Sequence, residues 1–517
     1  MTSSRLVTWA TFLSVLLFSA LIYTLVPDST RDGVWTHNVV RNWQEYGFFT
    51  LRGKLVYNPG GHDAITSPRI YTGHRAASLY LPYLVASLSG GAKMWGLLFD
   101  VLLAALIMGT TWHFLGRTQL ALLVGSAAVL SPGFVRCNVF FDPLAVPVLL
   151  GLPVMFWSRE LLRRSPGLRS ICFFAAVVTG YSLLNWTTAF AFAIFAAYLL
   201  AAPERSWRSL SVFCVATGAA TAFVVASSVL SKMHSGTDTT SRWSELYNAY
   251  LFGPGGYMGY PMTWPKAIIR LLVANVVGLL PLVSAWGWII FRAAHAGQGA
   301  VTGRLLLPLL AAALSVAIMR NYFAQHPWMA ASLLIFALVF SACLLMVDAA
   351  KGATGPKIEN THEFLGLAFA VASFLYCSAV VLLFQVNSAG EDALRSLVQH
   401  NTRRHDIIVV SRQADPALAE NVLRLSELFD RKIAVWDGLQ PSIRDGSGES
   451  CFLLSAQPLS NGQRQLARTE HGDSFASDLA RKILFFYRRF IARRAKGDRL
   501  ETEPVYYLFS FPTTEPR

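Results

Sequence analysis

Charge is what this sequence has least of. Of its 517 residues only 14% are charged and 54% are hydrophobic, where an ordinary soluble domain carries about a quarter charged residues. That excludes a conventional soluble globular protein. Cysteine is scarce as well. There are six; Cys172, Cys214, Cys343 and Cys377 fall inside apolar runs, while Cys137 and Cys451 stand alone. Such spacing excludes both a disulfide framework and a zinc motif. A Gly-rich phosphate turn is missing from the one strand–helix–strand stretch, DIIVVSRQADPALAENVLRLSELFDRKIAVW, so no nucleotide site is implied. Internal repeats are also missing, and the charges do not gather at mid-membrane, which argues against a secondary transporter.

What is present in abundance is apolar length. Mean hydropathy is positive, at +0.43, and a spanning helix needs about 20 mostly apolar residues. On that rule eleven crossings are expected, near 6–26, 94–115, 119–135, 143–158, 170–185, 187–202, 209–230, 266–291, 305–319, 328–348 and 363–386. The first run is too long, and lacks the small-residue cleavage site, to be a signal peptide. The run 170–202 is split into a tight pair at Asn185-Trp186. The net charge of +14 sits mainly in short clusters between the runs, such as SRELLRRSPGLRS and APERSWRS. This is the positive-inside pattern, so topology explains the charge and no nucleic-acid partner is expected. It puts the N-terminus in the cytoplasm and loops 27–93, 136–142, 231–265 and 320–327 outside. The short apolar segment 75–90, broken by Pro82, is expected to lie as a helix in the outer interface.

Residues 387–517 are different material, with charges of both signs. Short strands are expected at RHDIIVVS, RKIAVW, SCFLLS and VYYLFSF, with helices over 415–429 and 475–495. The expected fold class is a polytopic α-helical membrane protein of about eleven transmembrane helices, with a small α/β domain outside. The boundaries are 1–386 for the membrane domain, with its large first external loop 27–93, and 387–517 for the C-terminal domain. The basic helix DLARKILFFYRRFIARRAK within that domain is most simply a packed, solvated helix.

The first exposed stretch, VPDSTRDGVWTHNVVRNWQEYGFFTLRG, is far more polar and aromatic than a connecting loop requires. It is followed by YNPGGHDAITSPRIYTGHRAASLYLPYL. A first span, an acidic residue just outside it, an amphipathic helix ending in Gly, then a His-containing turn before an interfacial helix: this order resembles the GT-C superfamily of membrane glycosyltransferases. The stretch LSPGFVRCNVFFDPLAV resembles that superfamily's second acidic element, and RNYFAQHPWMA its short polar loop over the lipid phosphate. The resemblance covers roughly residues 1–350. It departs at two places: Gly33 follows Asp32 where a second acidic residue is usual, and Arg75-Ala76 replaces the Pro-Pro of the turn.

The resemblance implies transfer of a sugar from a polyprenyl-phosphate lipid to a glycan, lipid or protein acceptor, with inversion, at the outer face of a bacterial inner membrane. The C-terminal domain would then be periplasmic. The chemistry needs a base to take the acceptor's proton and donors to hold the departing phosphate. The resemblance assigns the catalytic carboxylates to Asp32 and Asp142. His74, Arg75, Arg320, Tyr322 and His326 are the candidates for donor phosphate and substrate. Each has a plainer reading. Asp28, Asp32 and Asp142 are also good helix caps, His74 and Arg75 can anchor a loop at headgroups, and Arg320 can snorkel from a span end. Asp100 lies inside a span, where it is either functional or paired with a polar neighbour. No cofactor is expected; His62-Asp63 is the one hint of a divalent cation, and two residues do not make a ligand set. A lipid-linked-sugar ligase shares the substrate class, but its large functional loop is expected late in the chain. A non-enzymatic scaffold leaves the polar first loop without a purpose.

Overall fold

The computed structural model describes residues 3–26, 35–61, 64–70, 76–88, 95–115, 119–139, 145–163, 167–202, 206–234, 278–295, 299–325, 330–351 and 365–413, and parts of 415–436. It also describes 451–455, 464–468, 507–510 and the single positions Leu251 and Pro265. Two compact units emerge: Met1–Thr24 with His74–Val380, and Leu25–Gly73 with Val381–Arg517. Residues 25–73, most of the expected first external loop, thus group by contact with the C-terminal residues, whereas the sequence counted them with the membrane part.

The larger unit is helical. Among the described residues four helices are long and apolar enough to cross a membrane: Val7–Leu25, Gly96–Leu115, Trp207–Ser227 and Leu365–Leu382. Their large apolar side chains point outward in number, Leu13, Leu17, Leu102, Val215, Phe223 and Leu375 among them. An aqueous protein does not leave such surface uncovered; a lipid-facing one does. The chain is a multi-pass membrane protein. Helices lie on all eleven apolar runs of the sequence, but several, such as Leu168–Ser182 and Thr188–Ala201, fall short of a full crossing.

Two helix breaks have local causes. The run 170–202 parts where Asn185 sits, fully buried. Its side-chain oxygen accepts from the Thr187 amide at 3.3 Å, and its carbonyl takes the Thr188 hydroxyl at 2.8 Å, so the turn's polar groups are met without water. The run 119–135 is not the single straight span expected. It bends by 56° between Leu120–Val129 and Pro132–Asn138. Pro132 has no N–H to continue the first helix and is well placed to open the second. Ser131 caps it, accepting from the Phe134 amide at 3.2 Å. The second helix runs to Val139, so residues 136–139 of the expected loop 136–142 are helical. Similarly, the expected polar loop 320–327 begins as a short helix, Arg320–Gln325.

At the core of this unit lies Ala330–Lys351. Its Phe336 and Phe340 rings pack 5.1 Å apart, and Phe340 meets Phe195 at 5.1 Å and Tyr198 at 5.0 Å. The Ser341 hydroxyl reaches across to the Leu305 carbonyl at 2.8 Å. Tyr181 donates to the Pro147 carbonyl at 2.8 Å by lying against Gly151, where a Cβ would come within 2.2 Å of its hydroxyl.

The smaller unit contains a five-stranded sheet in the order β2-β1-β3-β5-β4. β1 (Ile407–Ser411) pairs in parallel with β2 (Lys432–Trp436) and β3 (Cys451–Ser455), and β5 (Tyr507–Ser510) runs antiparallel to β3 and β4 (Arg464–Arg468). The wholly buried Ile-Ile-Val-Val-Ser of β1 is what a central strand covered on both faces requires. One face packs Ile408, Val410, Leu454 and Leu508 under Leu394, Leu397 and Val398, which belong to the far end of the long helix Leu365–Asn401. β4 was not anticipated, and the expected helix 475–495 lies outside the described residues.

Candidate functional site

Asp32, Asp142, His74, Arg75 and His326 lie outside the described residues, as do Asp28 and His62-Asp63. Their immediate neighbours do not, and two candidate segments of the larger unit are brought together. Arg320 and Tyr322 sit on the short helix Arg320–Gln325, both buried. Arg320 Nε donates to Asn321 Oδ1 at 3.2 Å, and the Asn321 amide donates to the Leu251 carbonyl at 2.8 Å. Met319 and Phe323, which bracket those residues, line a small apolar hollow with Thr187, Phe190 and Ser332. Its wall also includes Ala145 and Val148. Ala145 stands three positions after Asp142. The Arg320 segment and the flank of the Asp142 segment therefore border one space.

Asp100 is fully buried on its helix and has polar partners on two others. The Ser19 hydroxyl donates to Oδ2 at 2.7 Å, and the Asn138 amide donates to Oδ1. Asn138 lies four positions before Asp142. The intramembrane carboxyl thus ties the end of the Pro132–Val139 helix to the Ser3–Leu25 and Trp95–Leu115 helices. Among the described residues no group of three or more His, Cys, Asp or Glu is placed to hold a metal ion.

In the smaller unit the first-loop helix, Trp35–Tyr46, begins three residues after Asp32. It is amphipathic in an unusual way, because its covered face mixes Val39, Val40 and Trp43 with Thr36, His37, Asn38 and Asn42. It ends at Gly47, whose φ of +88° is the left-handed stop that glycine supplies without strain. The segment that follows is fastened back onto the helix. The Asn42 amide donates to the carbonyls of Val56 (2.9 Å) and Asn58 (3.1 Å), and the Trp43 indole to that of Lys54 (2.8 Å). The Tyr46 hydroxyl reaches the Gly61 carbonyl at 2.9 Å. Gly61 has a φ of +71°, and a Cβ there would come within 2.5 Å of the same hydroxyl.

The centre of this unit is a carboxylate that no local pattern singles out. Asp430 is 1% exposed and sits two positions before β2 at φ +50°, a conformation Asp tolerates better than most residues. Its Oδ2 receives Arg41 at 3.0 Å from the first-loop helix and Arg404 Nε at 2.8 Å from the turn before β1. Its Oδ1 accepts the Gly60 amide at 2.9 Å. Arg404 continues outward, donating to Asn42 Oδ1 at 2.8 Å and pairing with Glu45, which His405 Nε2 meets at 2.8 Å. Burial alone would push the Asp430 carboxyl up; the Arg404 and Arg41 guanidiniums and the Gly60 N–H outweigh it and hold the carboxyl below its ordinary range. Burial pulls the adjacent Arg431 down to about 10, against the Asp430 and Asp406 charges. That guanidinium is spent on carbonyls of Phe429, Asp430 and Thr402. The Tyr46 phenol is raised, first by burial and then by the Asp430 charge.

No known protein family matches the chain by sequence, and no curated protein does. Solved structures match it in shape. ArnT from Cupriavidus metallidurans bound to undecaprenyl phosphate superposes at a TM-score of 0.53 with 13% identity, over 91% of this chain and 97% of that one. The apo state of the same protein gives 0.48 and 14% over 86% and 91%. Arabinofuranosyltransferase AftD from Mycobacteria gives 0.42 and 15% over 90% of this chain and 38% of that one. The first of these, spanning nearly the whole of both chains, carries the conclusion on fold: the chain shares the fold of ArnT.

Proposed function

We propose that this protein is a membrane glycosyltransferase that moves a sugar, hexose or pentose, from a polyprenyl-phosphate lipid to a glycan, lipid or protein acceptor. The observation that carries the reading is the end-to-end likeness to ArnT, a protein whose structure holds undecaprenyl phosphate. It is supported by the closeness of the Arg320–Gln325 helix to the start of the Ala145–Arg163 helix, since Phe323 of the one and Ala145 of the other line one hollow. The full topology has eleven crossings of a bacterial inner membrane. The N-terminus is cytoplasmic and residues 387–517 are periplasmic.

The reaction is a single inverting displacement. The acceptor hydroxyl attacks the sugar's anomeric carbon while Asp32, as general base, takes its proton. The bond from that carbon to the phosphate oxygen breaks, and the lipid phosphate leaves with the electron pair. Arg320, with Tyr322, His326, His74 and Arg75, holds the charge that builds on those oxygens; a guanidinium fork suits them best. Asp142 orients the donor sugar or the acceptor from the second loop. A dry, lipid-bounded wall protects the oxocarbenium-like sugar from water.

The test is transfer from radiolabelled polyprenyl-phosphate sugar by the purified full chain in lipid nanodiscs. Release of the lipid phosphate with appearance of label in an acceptor is expected. Binding and translocation of the lipid without cleavage would instead make the protein a transporter.

A further inference from the structure

The first-loop helix is fixed not only by its own loop but also by the C-terminal residues. Arg41 lies on that helix; its anchor, Asp430, is 389 positions away in sequence. Around this one carboxylate converge the helix (Arg41), the segment after it (the Gly60 amide) and the turn that opens the sheet (Arg404). Arg404 then grips the helix a second time through Asn42 and Glu45, with His405 on the far side of Glu45. Five contacts to residues 41–60 therefore arise from Arg404, His405 and Asp430. The carboxylate itself is supported from behind. Arg431 is turned away from it onto backbone carbonyls, and the sheet core packs directly beneath at Phe429. A buried charge with this many donors is costly to assemble and rigid once made.

We infer that Asp430 and Arg404 are positioning residues for sugar transfer: the C-terminal residues hold the Trp35–Tyr46 helix, which begins three positions after Asp32, the base of the proposed reaction. This rests on the transferase reading above. It gives the C-terminal residues a task in the chemistry although they need touch neither donor nor acceptor. Misplacing a catalytic group by about an ångström costs on the order of a hundredfold in rate, so a helix three residues from the base is a sensitive place to anchor.

The test uses Arg41→Gln in the full chain in nanodiscs, because this variant leaves Asp430 with Arg404 and Gly60 and spares the sheet. Hydrogen exchange over residues 35–46 should quicken about tenfold or more while β1 stays protected. The turnover number should fall about 10- to 100-fold, with donor-lipid affinity unchanged within about twofold, and Arg41→Lys should recover part of the rate. Glu45→Gln, which removes only the outer grip, should give a smaller loss in the same direction. Unchanged exchange over 35–46 in Arg41→Gln overturns the inference. So does quickened exchange with turnover per folded molecule unchanged, because the contact would then be structural only. If the wild type transfers no sugar while Arg41→Gln still loosens the helix, the transferase reading fails and the anchor itself stands.

Discussion

Three substitutions at Asp430 separate what its charge, its acceptor atoms and its backbone conformation each contribute to the smaller unit. Asparagine keeps the shape, an acceptor for the Gly60 amide, and tolerance of φ +50°. It loses the charge facing Arg41 and Arg404. Breaking a buried ion pair costs about 3–5 kcal/mol. With the two arginine side chains 17% and 21% exposed, water recovers part of that, so the lower end, about 3 kcal/mol, applies here. Glycine keeps the backbone conformation but also removes the acceptor for Gly60, adding about 1 kcal/mol. Alanine removes the same acceptor and adds left-handed strain of about 1–2 kcal/mol. The expected order of loss is Asn, then Gly, then Ala, at about 3, 4 and 5–6 kcal/mol. The assay is hydrogen exchange of β1 and residues 35–46 in the full chain, read as the free energy of local opening. Equal losses for Asn and Ala would show that the charge alone matters and that the backbone strain is absent. A loss below about 1 kcal/mol for Asn would refute the buried-pair reasoning altogether.

The same carboxylate predicts an acid limb. Its folded value lies below its unfolded value of about 3.9, so its contribution is complete above that pH and disappears as pH falls through the lowered folded value. Protection of residues 35–46 should be level from neutral pH to about 4 and drop below it, and Asp430→Asn should flatten that drop. Arg320→Ala should weaken donor-lipid binding by about 2–5 kcal/mol, and Arg320→Lys should restore it only in part because it lacks the fork; unchanged affinity removes Arg320 from the site. Asp32→Asn keeps capping ability but cannot accept a proton, so transfer should fall about a hundredfold or more with expression and donor binding intact; a wild-type rate would make Asp32 only a cap. A reporter fused after Arg517 should be active outside the cytoplasm and one within 159–169 inside, and a cytoplasmic C-terminus would refute eleven crossings.

Local patterns carried into the structure wherever the physical cause was local. Apolar length marked the helices, Asn185 in a long apolar run marked the 170–202 turn, and Gly47 marked the end of the first-loop helix because only left-handed backbone turns so sharply there. The short, near-continuous apolar runs of the tail marked the parallel strands. The bend at Ser131-Pro132 was not read, because the apolar run continues past it to Val135 and hides the break, and neither was the helical continuation through Arg136. Arg464–Arg468 escaped notice for a similar reason: Arg-Gln-Leu-Ala-Arg has too few apolar positions for an alternation to be seen, and it becomes a strand because β5 is beside it.

What no local pattern holds is a contact between distant charges. Arg41 on a helix face and Asp430 after a helix end each look like ordinary solvated residues, and nothing within ten positions of either names the other. The clue available in the sequence was indirect. The first loop carries Arg41, Asn42 and Glu45 on a helix whose apolar face is short, and a helix that polar cannot be held by burial of apolar area alone. It must find hydrogen-bonding partners of its own, and 27–93 offers carbonyls but few opposite charges beyond the segment's own acids. The partners therefore had to come from elsewhere, and the one other region with charges of both signs in balance is 387–517. The surplus polarity that set the opening loop apart thus has two sources. Asp32 fits the chemistry of transfer, while Arg41, Asn42 and Glu45 are accounted for by their contacts with the C-terminal residues. Substituting the first should abolish turnover and leave the helix in place; substituting the others should loosen the helix first and lower turnover as a consequence.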